Sequence, residues 1–267
     1  MSKKGEKLPR SVMSFQRLRQ KRIPMANGNS GKDRAWDIIG DVHGCYFELV
    51  SLLHRLGYKV SNHGNAINVQ CPPGRYLGFT GDLIKRGPYS ARVLALVMRA
   101  VRQGKAVCVP GNHDDELRHC LNGRPMQIGR QLNQALQQIT HFAPDFRDQT
   151  QRFLQRQRCR YENHQLIIVH AVYKDGIFGG DAYNLAVQGK VWGGEEEEGW
   201  EQLYSGRKTV VHGHEAVPEP TITRNANGGC VVNVDTGCCI GGSLTALRFP
   251  EMDFVSVRAQ KKYYSPR

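Results

Sequence analysis

The feature that most constrains this chain of 267 residues is a repeated unit, in which a short apolar strand runs into a polar, glycine-bounded turn and then into a helix. Three such units occupy residues 36–56, 76–102 and 106–160. Apolar residues recur at helical spacing within 46–56 and 90–102, and a glycine follows shortly after each run. Strands that alternate with helices in this way predict a βαβ architecture and hence an α/β fold.

Residues that bind metal ions follow five predicted strands. They lie in the segments Gly40-Asp41-Val42-His43-Gly44, Gly81-Asp82, Gly111-Asn112-His113-Asp114, Val169-His170-Ala171 and Gly213-His214. Loops beyond the carboxyl ends of strands converge in open α/β sheets, so we expect these side chains to meet. The expected ligands are Asp41, His43, Asp82, Asn112, His170 and His214. Any one of them alone would be interpreted as the cap of a turn, but six at corresponding positions predict a metal site.

A mixed set of oxygen and nitrogen ligands of this size can hold two divalent cations. Two such cations about 3.5–4 Å apart form the clamp that phosphoester-cleaving enzymes place on the attacking and leaving oxygens. The imidazole ligands favour manganese, iron or zinc over magnesium or calcium. The sequence therefore predicts a phosphoesterase with two divalent metal ions, with manganese as the first choice.

A basic segment precedes the predicted domain. Residues 1–34 contain ten Lys or Arg and two acidic residues, which gives a net charge of +8 out of +13 for the chain. Loop-type residues and little apolar periodicity predict a disordered arm there. It is either a solvated tail or a contact for polyanions such as nucleic acid or nucleotides. We expect the phosphoesterase domain at 35–257, with a helical cap or insertion at 115–160, and a short basic tail at 258–267.

Cysteine usage and hydropathy point to a cytoplasmic protein. No apolar run reaches the roughly 18 residues that a membrane span needs. The eight cysteines form no C-x-x-C pair, and several lie in apolar surroundings where a buried free thiol is ordinary. These observations disfavour a membrane partner, a zinc finger and a disulfide framework.

From Trp36 to about Val257 the chain resembles the calcineurin-like metallophosphoesterases. The motifs that carry the resemblance are Val109-Pro110-Gly111-Asn112-His113-Asp114, Asn233-Val234-Asp235-Thr236-Gly237-Cys238 and the segment 243–251. The chain is most similar to the bacterial phosphoprotein-phosphatase branch, which includes diadenosine tetraphosphatases and the phosphatase domain of bacterial polynucleotide kinase-phosphatase. The resemblance implies a four-layer αββα sandwich with a dimetal site at one edge.

The resemblance also implies how the ligands divide between the metals. One set would be Asp41, His43 and Asp82, and the other Asp82, Asn112, His170 and His214. A hydroxide that bridges the two ions would attack phosphorus in line.

Further roles follow from the same resemblance. Arg86 would grip the phosphate oxygens, a task that suits its planar fork, and Asn112 and Lys85 are further candidates for binding phosphate. His113 would protonate the leaving oxygen. Asp235 would be either a partner of a ligating histidine or a turn-forming residue.

The second motif departs from the family pattern at Lys85. The family reads Gly-Asp-x-x-Asp-Arg-Gly, whereas residues 81–87 read Gly-Asp-Leu-Ile-Lys-Arg-Gly. The replaced Asp orients the leaving-group histidine in the family, so its loss is expected to shift preference from alkyl phosphomonoesters toward phosphoanhydrides or aryl esters. Asp114 or Asp115 would be the substitute orienter, and Lys85 would otherwise project into solvent or bind a substrate phosphate.

Three functions stay open at this point. The first is a bis(5'-nucleosyl)-tetraphosphatase-like hydrolase of phosphoanhydride or phosphomonoester bonds in nucleotides. The second is a serine/threonine protein phosphatase, and the third is a weakly active pseudoenzyme that binds phosphate or nucleic acid. The presence of all six ligand types argues against the third, and the nearest resemblance favours the first.

Overall fold

The computed structural model of the protein describes residues 34–191, 194 and 197–265. The predicted disordered arm at 1–34 therefore lies, apart from Arg34, outside the described residues. None of the described helices combines the length and the apolarity that crossing a membrane requires.

Strands and helices alternate through the first half, and strands dominate the second. The strands are β1 (Ala35–Ile39), β2 (Lys59–His63), β3 (Ala66–Gln70), β4 (Arg75–Phe79), β5 (Ala106–Cys108), β6 (Arg160–Glu162), β7 (Leu166–Val169), β8 (Thr209–His212), β9 (Thr221–Arg224), β10 (Cys230–Asn233), β11 (Ser243–Phe249) and β12 (Asp253–Arg258). The helices are α1 (Tyr46–Arg55), α2 (Ser90–Arg102), α3 (Asn112–Leu121), α4 (Arg130–Phe142), α5 (Phe146–Arg156), α6 (Gly179–Gln188) and α7 (Trp200–Leu203).

Two five-stranded sheets and one hairpin arise from these strands. The first sheet has the order β12-β11-β1-β4-β5, and the second has the order β6-β7-β8-β10-β9. In each sheet three adjacent strands are parallel: β1, β4 and β5 in the first, and β7, β8 and β10 in the second. Parallel strands end at the same edge, so the loops that follow them are brought together.

The two sheets lie face to face. Trp36 and Leu247 from the first sheet share a buried apolar cluster with Ile168 and Val232 from the second. A methyl group added at Gly78 in β4 would approach Ile168 to 2.7 Å, so the sheets are in close contact there. Each aliphatic side chain buried in such a core contributes about 1.5–3 kcal/mol to folding.

Helices cover the outer face of each sheet. Apolar residues of α1 to α5, such as Leu49 and Leu94, share a buried cluster with Phe79 of the first sheet. Leu185 of α6 and Trp200 of α7 lie in another cluster on the second sheet. The layers are therefore helix, sheet, sheet and helix, which confirms the predicted αββα sandwich.

The segment 115–160 is largely helical. It contains most of α3 and all of α4 and α5, whose buried residues include Leu132, Ile139 and Leu154. Those three side chains belong to the same apolar cluster as α2. Covering of the metal site by this segment stays a prediction.

Residues that follow β12 fold back onto α1 and the loop after β10. The hydroxyl of Tyr263 donates a hydrogen bond of 2.7 Å to Glu48 in α1. The backbone nitrogens of Tyr263 and Tyr264 donate to the carbonyl oxygen of Cys239, at 3.0 and 2.9 Å. This arrangement brings the Tyr264 ring to 5.3 Å from the guanidinium of Arg86.

A buried ion pair ties β1 to the start of β4. The Asp37 carboxylate is fully buried and accepts hydrogen bonds from Arg75 at 2.6 and 2.8 Å, and from the hydroxyl of Tyr58 at 2.6 Å. Arg75→Met is expected to lower the free energy of unfolding by about 3–5 kcal/mol, because it removes the cation that hydrogen-bonds to both oxygens of a buried carboxylate. Urea-induced unfolding measures this change.

The exposed Arg147 in α5 is the matched control for that substitution. Arg147→Met is expected to change the free energy of unfolding by no more than about 0.5 kcal/mol. Equal effects of the two substitutions would contradict the structural role given to the Arg75–Asp37 pair.

Candidate active site

The predicted ligands lie just after strands of both sheets. Asp41 and Asp82 follow β1 and β4, while Asn112 opens α3 after β5. His170 follows β7, and His214 follows β8. Because all five strands end at the same edge of the sandwich, their side chains converge between the two sheets.

The first group of side chains contains Asp41, His43 and Asp82. The His43 Nε2 atom lies 3.5 Å from Oδ2 of Asp82 and 3.9 Å from Oδ2 of Asp41. All three side chains are almost completely buried. Their donor atoms therefore face one small space that water reaches poorly.

The second group uses the other oxygen of Asp82. The His170 Nε2 atom lies 3.7 Å from Oδ1 of Asp82 and 3.1 Å from Oδ1 of Asn112. Nδ1 of His214 approaches the same His170 nitrogen to 3.1 Å. One carboxylate, that of Asp82, thus stands between the two groups.

Backbone carbonyls fix which ring nitrogen carries the proton and which keeps a lone pair. Nδ1 of His43 lies 3.1 Å from the carbonyl oxygen of Ile84, and Nδ1 of His170 lies 3.0 Å from that of Thr80. A carbonyl oxygen can only accept, so Nδ1 carries the proton and Nε2 keeps its lone pair. Such outer partners orient metal-binding histidines and set their tautomer.

Burial keeps both histidines neutral. It lowers the pKa of His43 to about 3 and that of His170 to about 4, against the opposing effect of Asp82. Neutral imidazole is the form that coordinates metals. Both rings are therefore ready to act as ligands over the ordinary pH range.

The acidic side chains repel one another. Burial, followed by the charges of Asp235 and Asp82, raises the pKa of Asp41 well above its usual value. Burial also raises the pKa of Asp82, but His170, His113 and His43 outweigh it and the net pKa is lowered. A divalent cation among these carboxylates would remove the repulsion, and the mixed oxygen and nitrogen donors fit such an ion.

The backbone around the site adopts the left-handed region, which costs residues with a side chain about 1–3 kcal/mol each. Among the described residues, five of the seven non-glycine residues with positive φ belong to the predicted site, so the strain is concentrated where the candidate ligands converge. They are His43, Asp82, Lys85, Arg86 and His214.

Glycines allow the loops to approach the carboxylates. A Cβ atom at Gly111 would collide with the carboxylate and backbone nitrogen of Asp82. A Cβ atom at Gly213 would collide with the carboxylate of Asp41. Both glycines are therefore needed for close approach, as the glycine-bounded motifs predict.

Arg86 and His113 border the first group of ligands. The Arg86 guanidinium donates a hydrogen bond of 2.8 Å to His43 Nε2. The His113 backbone nitrogen donates to Asp82 Oδ1 at 3.0 Å, and its Nε2 lies 3.9 Å from Asp82 Oδ2. The rings of His43 and His113 meet edge to face, with centroids 5.3 Å apart.

Lys85 and Asp235 have partners of their own. Lys85 is 8% exposed, and its Nζ forms an ion pair with Glu116. Asp235 accepts a hydrogen bond of 3.0 Å from the Gly237 nitrogen, which is the contact of a turn-forming Asp. Lys85 as a phosphate-binding residue remains a prediction. Asp235 as the partner of a ligating histidine also remains a prediction.

Sequence reasoning considered Asp114 and Asp115 as partners of His113 and missed Glu116. Oε2 of Glu116 lies 3.8 Å from Nδ1 of His113. The neighbouring His113, followed by Lys85, lowers the pKa of Glu116 to about 2 against the effect of burial. Helical spacing was the available signal, because residues three apart share a helix face whereas adjacent ones do not.

The αββα layers and the candidate ligands at the strand ends are the features of a metal-dependent phosphoesterase. Residues 37–229 match the calcineurin-like phosphoesterase family. The chain therefore belongs to this family, which confirms the resemblance drawn from its motifs. It is an enzyme that hydrolyses phosphoester or phosphoanhydride bonds with divalent metal ions.

Relatives from several bacteria carry the name bis(5'-nucleosyl)-tetraphosphatase PrpE (asymmetrical). The protein of Halalkalibacterium halodurans is 34% identical over 247 residues, which cover 87% of this chain and 97% of the relative. The protein of Anoxybacillus flavithermus is 35% identical over 250 residues, again covering 87% and 97%.

A solved structure with a similar fold is the cold-active protein-tyrosine phosphatase of a psychrophilic Shewanella species. It aligns with a TM-score of 0.53 at 16% identity, covering 86% of this chain and 81% of that one. At this identity the likeness concerns the fold alone.

Proposed function

We propose that this enzyme hydrolyses the polyphosphate chain of bis(5'-nucleosyl) tetraphosphates with two divalent cations. The observation that carries the proposal is the placement of Asp82, whose two oxygens face two separate groups of donors. One cation would be held by Asp41, His43 and Asp82, and the other by Asp82, Asn112, His170 and His214. The nucleotide substrate is supported by the relatives, which align over 97% of their length.

The chain's own residues would supply binding and proton transfer. When bound, the cations provide an activated water and polarise the phosphate oxygens. Arg86, beside His43, would bind the phosphate oxygens and hold phosphorus in line. As the new P–O bond forms and the old one breaks, His113 would give the proton on Nε2 to the leaving oxygen.

Charge and cysteine chemistry support the substrate and the location. A net charge of +13 attracts a polyphosphate, since a basic protein raises the local concentration of anionic ligands. Contact between residues 1–34 and a polyanion belongs to the same proposal. All eight cysteines are free, which suits the reducing cytoplasm. The mixture of carboxylate, amide and imidazole donors suits manganese, with iron or zinc as alternatives.

A substrate panel in the presence of Mn²⁺ tests the proposal. It contains diadenosine tetraphosphate, p-nitrophenyl phosphate, bis(p-nitrophenyl) phosphate and a phosphoserine peptide. We expect kcat/KM for diadenosine tetraphosphate to exceed that for the peptide by at least about a hundredfold, a ratio within reach of pocket contacts. Products separated by chromatography identify the bond that is broken.

Two other outcomes of the panel would each support a different function. Preference for the phosphopeptide would replace the proposal with a serine/threonine protein phosphatase. Tight binding of phosphate without turnover, in protein shown by elemental analysis to lack metal, would identify a pseudoenzyme.

A further inference from the structure

One ring nitrogen of His113 has no hydrogen-bond partner among the described residues. Its Nε2 atom faces the site, 3.9 Å from Oδ2 of Asp82, whereas Nδ1 is buried on the opposite side of the ring. A buried polar atom without a partner is costly and calls for an acceptor nearby. The identity of that acceptor decides how the ring is held.

Three acidic residues follow His113 in α3, and two of them are engaged elsewhere. Asp114 accepts hydrogen bonds of 3.1 Å from the backbone nitrogens of Gly111 and Leu83. Asp115 accepts from the Tyr183 hydroxyl at 2.6 Å and from Nε of Arg118 at 2.7 Å. Both carboxylates thus serve the packing of α3 against its neighbours.

Glu116 is the third acid and lies on the same helix face as His113. Its Oε2 atom is 3.8 Å from His113 Nδ1, a gap that a small change in side-chain torsion closes to a hydrogen bond. The same oxygen forms the ion pair with Lys85 Nζ. One carboxylate oxygen therefore lies between a lysine and the unpartnered nitrogen.

Lys85 is held in a way that fixes Glu116. The lysine is 8% exposed and has a φ of 70°. Its backbone nitrogen donates a hydrogen bond of 3.1 Å to the Ser90 hydroxyl. A buried ammonium group requires a paired anion, so the lysine restricts the carboxylate to this position. The ion pair also links the loop after β4 to the helix that carries His113.

We propose that Glu116, anchored by Lys85, is the positioning residue of His113: it accepts the Nδ1–H bond and thereby aims Nε2 at the leaving oxygen. The inference rests on the proposed role of His113 as proton donor. In this proposal Lys85 does not bind phosphate, and its presence in the motif does not signal loss of function. Lys85 instead holds the Glu116 carboxylate that accepts the hydrogen bond from His113.

The dependence of the rate on the leaving group distinguishes a residue that positions His113 from one that only stabilises the fold. A poor leaving group needs the proton from His113, whereas p-nitrophenolate leaves without it. For Glu116→Gln we expect kcat to fall about a hundredfold with phenyl phosphate and less than about threefold with p-nitrophenyl phosphate, within the usual range of general-acid catalysis. KM and metal content are expected to stay unchanged. Equal losses on the two substrates would overturn the proposal.

Two further variants complete the test. Lys85→Met is expected to give a smaller loss with the same leaving-group pattern, because the carboxylate remains but loses its anchor. Asp115→Asn, on the same helix, is expected to lower thermal stability while changing both substrates by the same factor. The leaving-group pattern in Asp115→Asn would contradict the assignment to Glu116.

A readout without turnover separates this inference from the proposed function. In nitrogen-15 histidine spectra of the zinc-loaded protein, with His113→Ala as the assignment standard, we expect a protonated Nδ1 for His113 that shifts in Glu116→Gln and not in Asp115→Asn. Absence of that shift overturns the positioning role even when the substrate is correct. Presence of the shift supports it even when the natural substrate proves to be another phosphate ester.

Discussion

Asp82→Asn is expected to lower kcat/KM by about a thousandfold or more and to leave the protein with at most one bound metal ion. Both oxygens of Asp82 face donor groups, so an amide would place an NH₂ against one of them and remove the shared negative charge. Removing a single donor that stabilises charge in a transition state commonly costs about 10²–10³ in rate, and in the proposed site two cations would share Asp82. Elemental analysis and steady-state kinetics measure the two effects.

The matched control for this substitution is Asp181→Asn, an exposed carboxylate in the first turn of α6. We expect it to keep both metals and kcat/KM within about twofold of wild type, because surface substitutions have small effects. Two bound metals and near-normal rates in Asp82→Asn would refute the shared-ligand geometry.

Gly111→Ala is expected to be the most damaging single methyl addition near the site. Its new Cβ would lie against the carboxylate and the backbone nitrogen of Asp82, so the loop after β4 has to move. Overpacking of this kind costs about 1–3 kcal/mol of stability, and a displaced Asp82 also weakens metal binding. Thermal unfolding with and without Mn²⁺ separates the two losses.

Gly129→Ala is a close control because Gly129 also precedes a helix with an extended backbone. Its φ is −70°, compared with −89° at Gly111, and no atom lies within 4 Å of an added Cβ. Both substitutions carry the same cost for an alanine N-cap. A similar Mn²⁺-induced stabilisation in the two variants would contradict the steric explanation.

The sequence was sufficient for the architecture of the site because periodicity and backbone chemistry are local. Strand ends were readable from apolar runs, and the glycines beside Asp41 and Asp82 marked loops that approach carboxylates closely. Parallel strands then bring such loops to one edge whatever the details of packing. The αββα layers followed from the family resemblance, and the apolar clusters on both faces of each sheet account for them.

Side-chain partnership was not readable in the same way. The motif indicated only that Lys85 replaces the family's carboxylate. In the structure its charge is balanced by Glu116, which lies 31 residues later in the chain, in α3. Tyr264, predicted to lie in a short basic tail, has its ring near the Arg86 guanidinium because Tyr263 is hydrogen-bonded to α1. Such contacts depend on where distant segments meet, and no local period encodes them.

Because the candidate ligands are divided between two sheets, metal affinity is expected to report on the docking of the sheets. Asp41, Asp82 and Asn112 are fixed once the first sheet forms, but His170 and His214 arrive only when the second sheet docks on it. The second metal should therefore bind only to fully docked protein. A substitution such as Ile168→Ala, deep between the sheets, would then be detected first as weakened metal retention rather than as loss of helix signal.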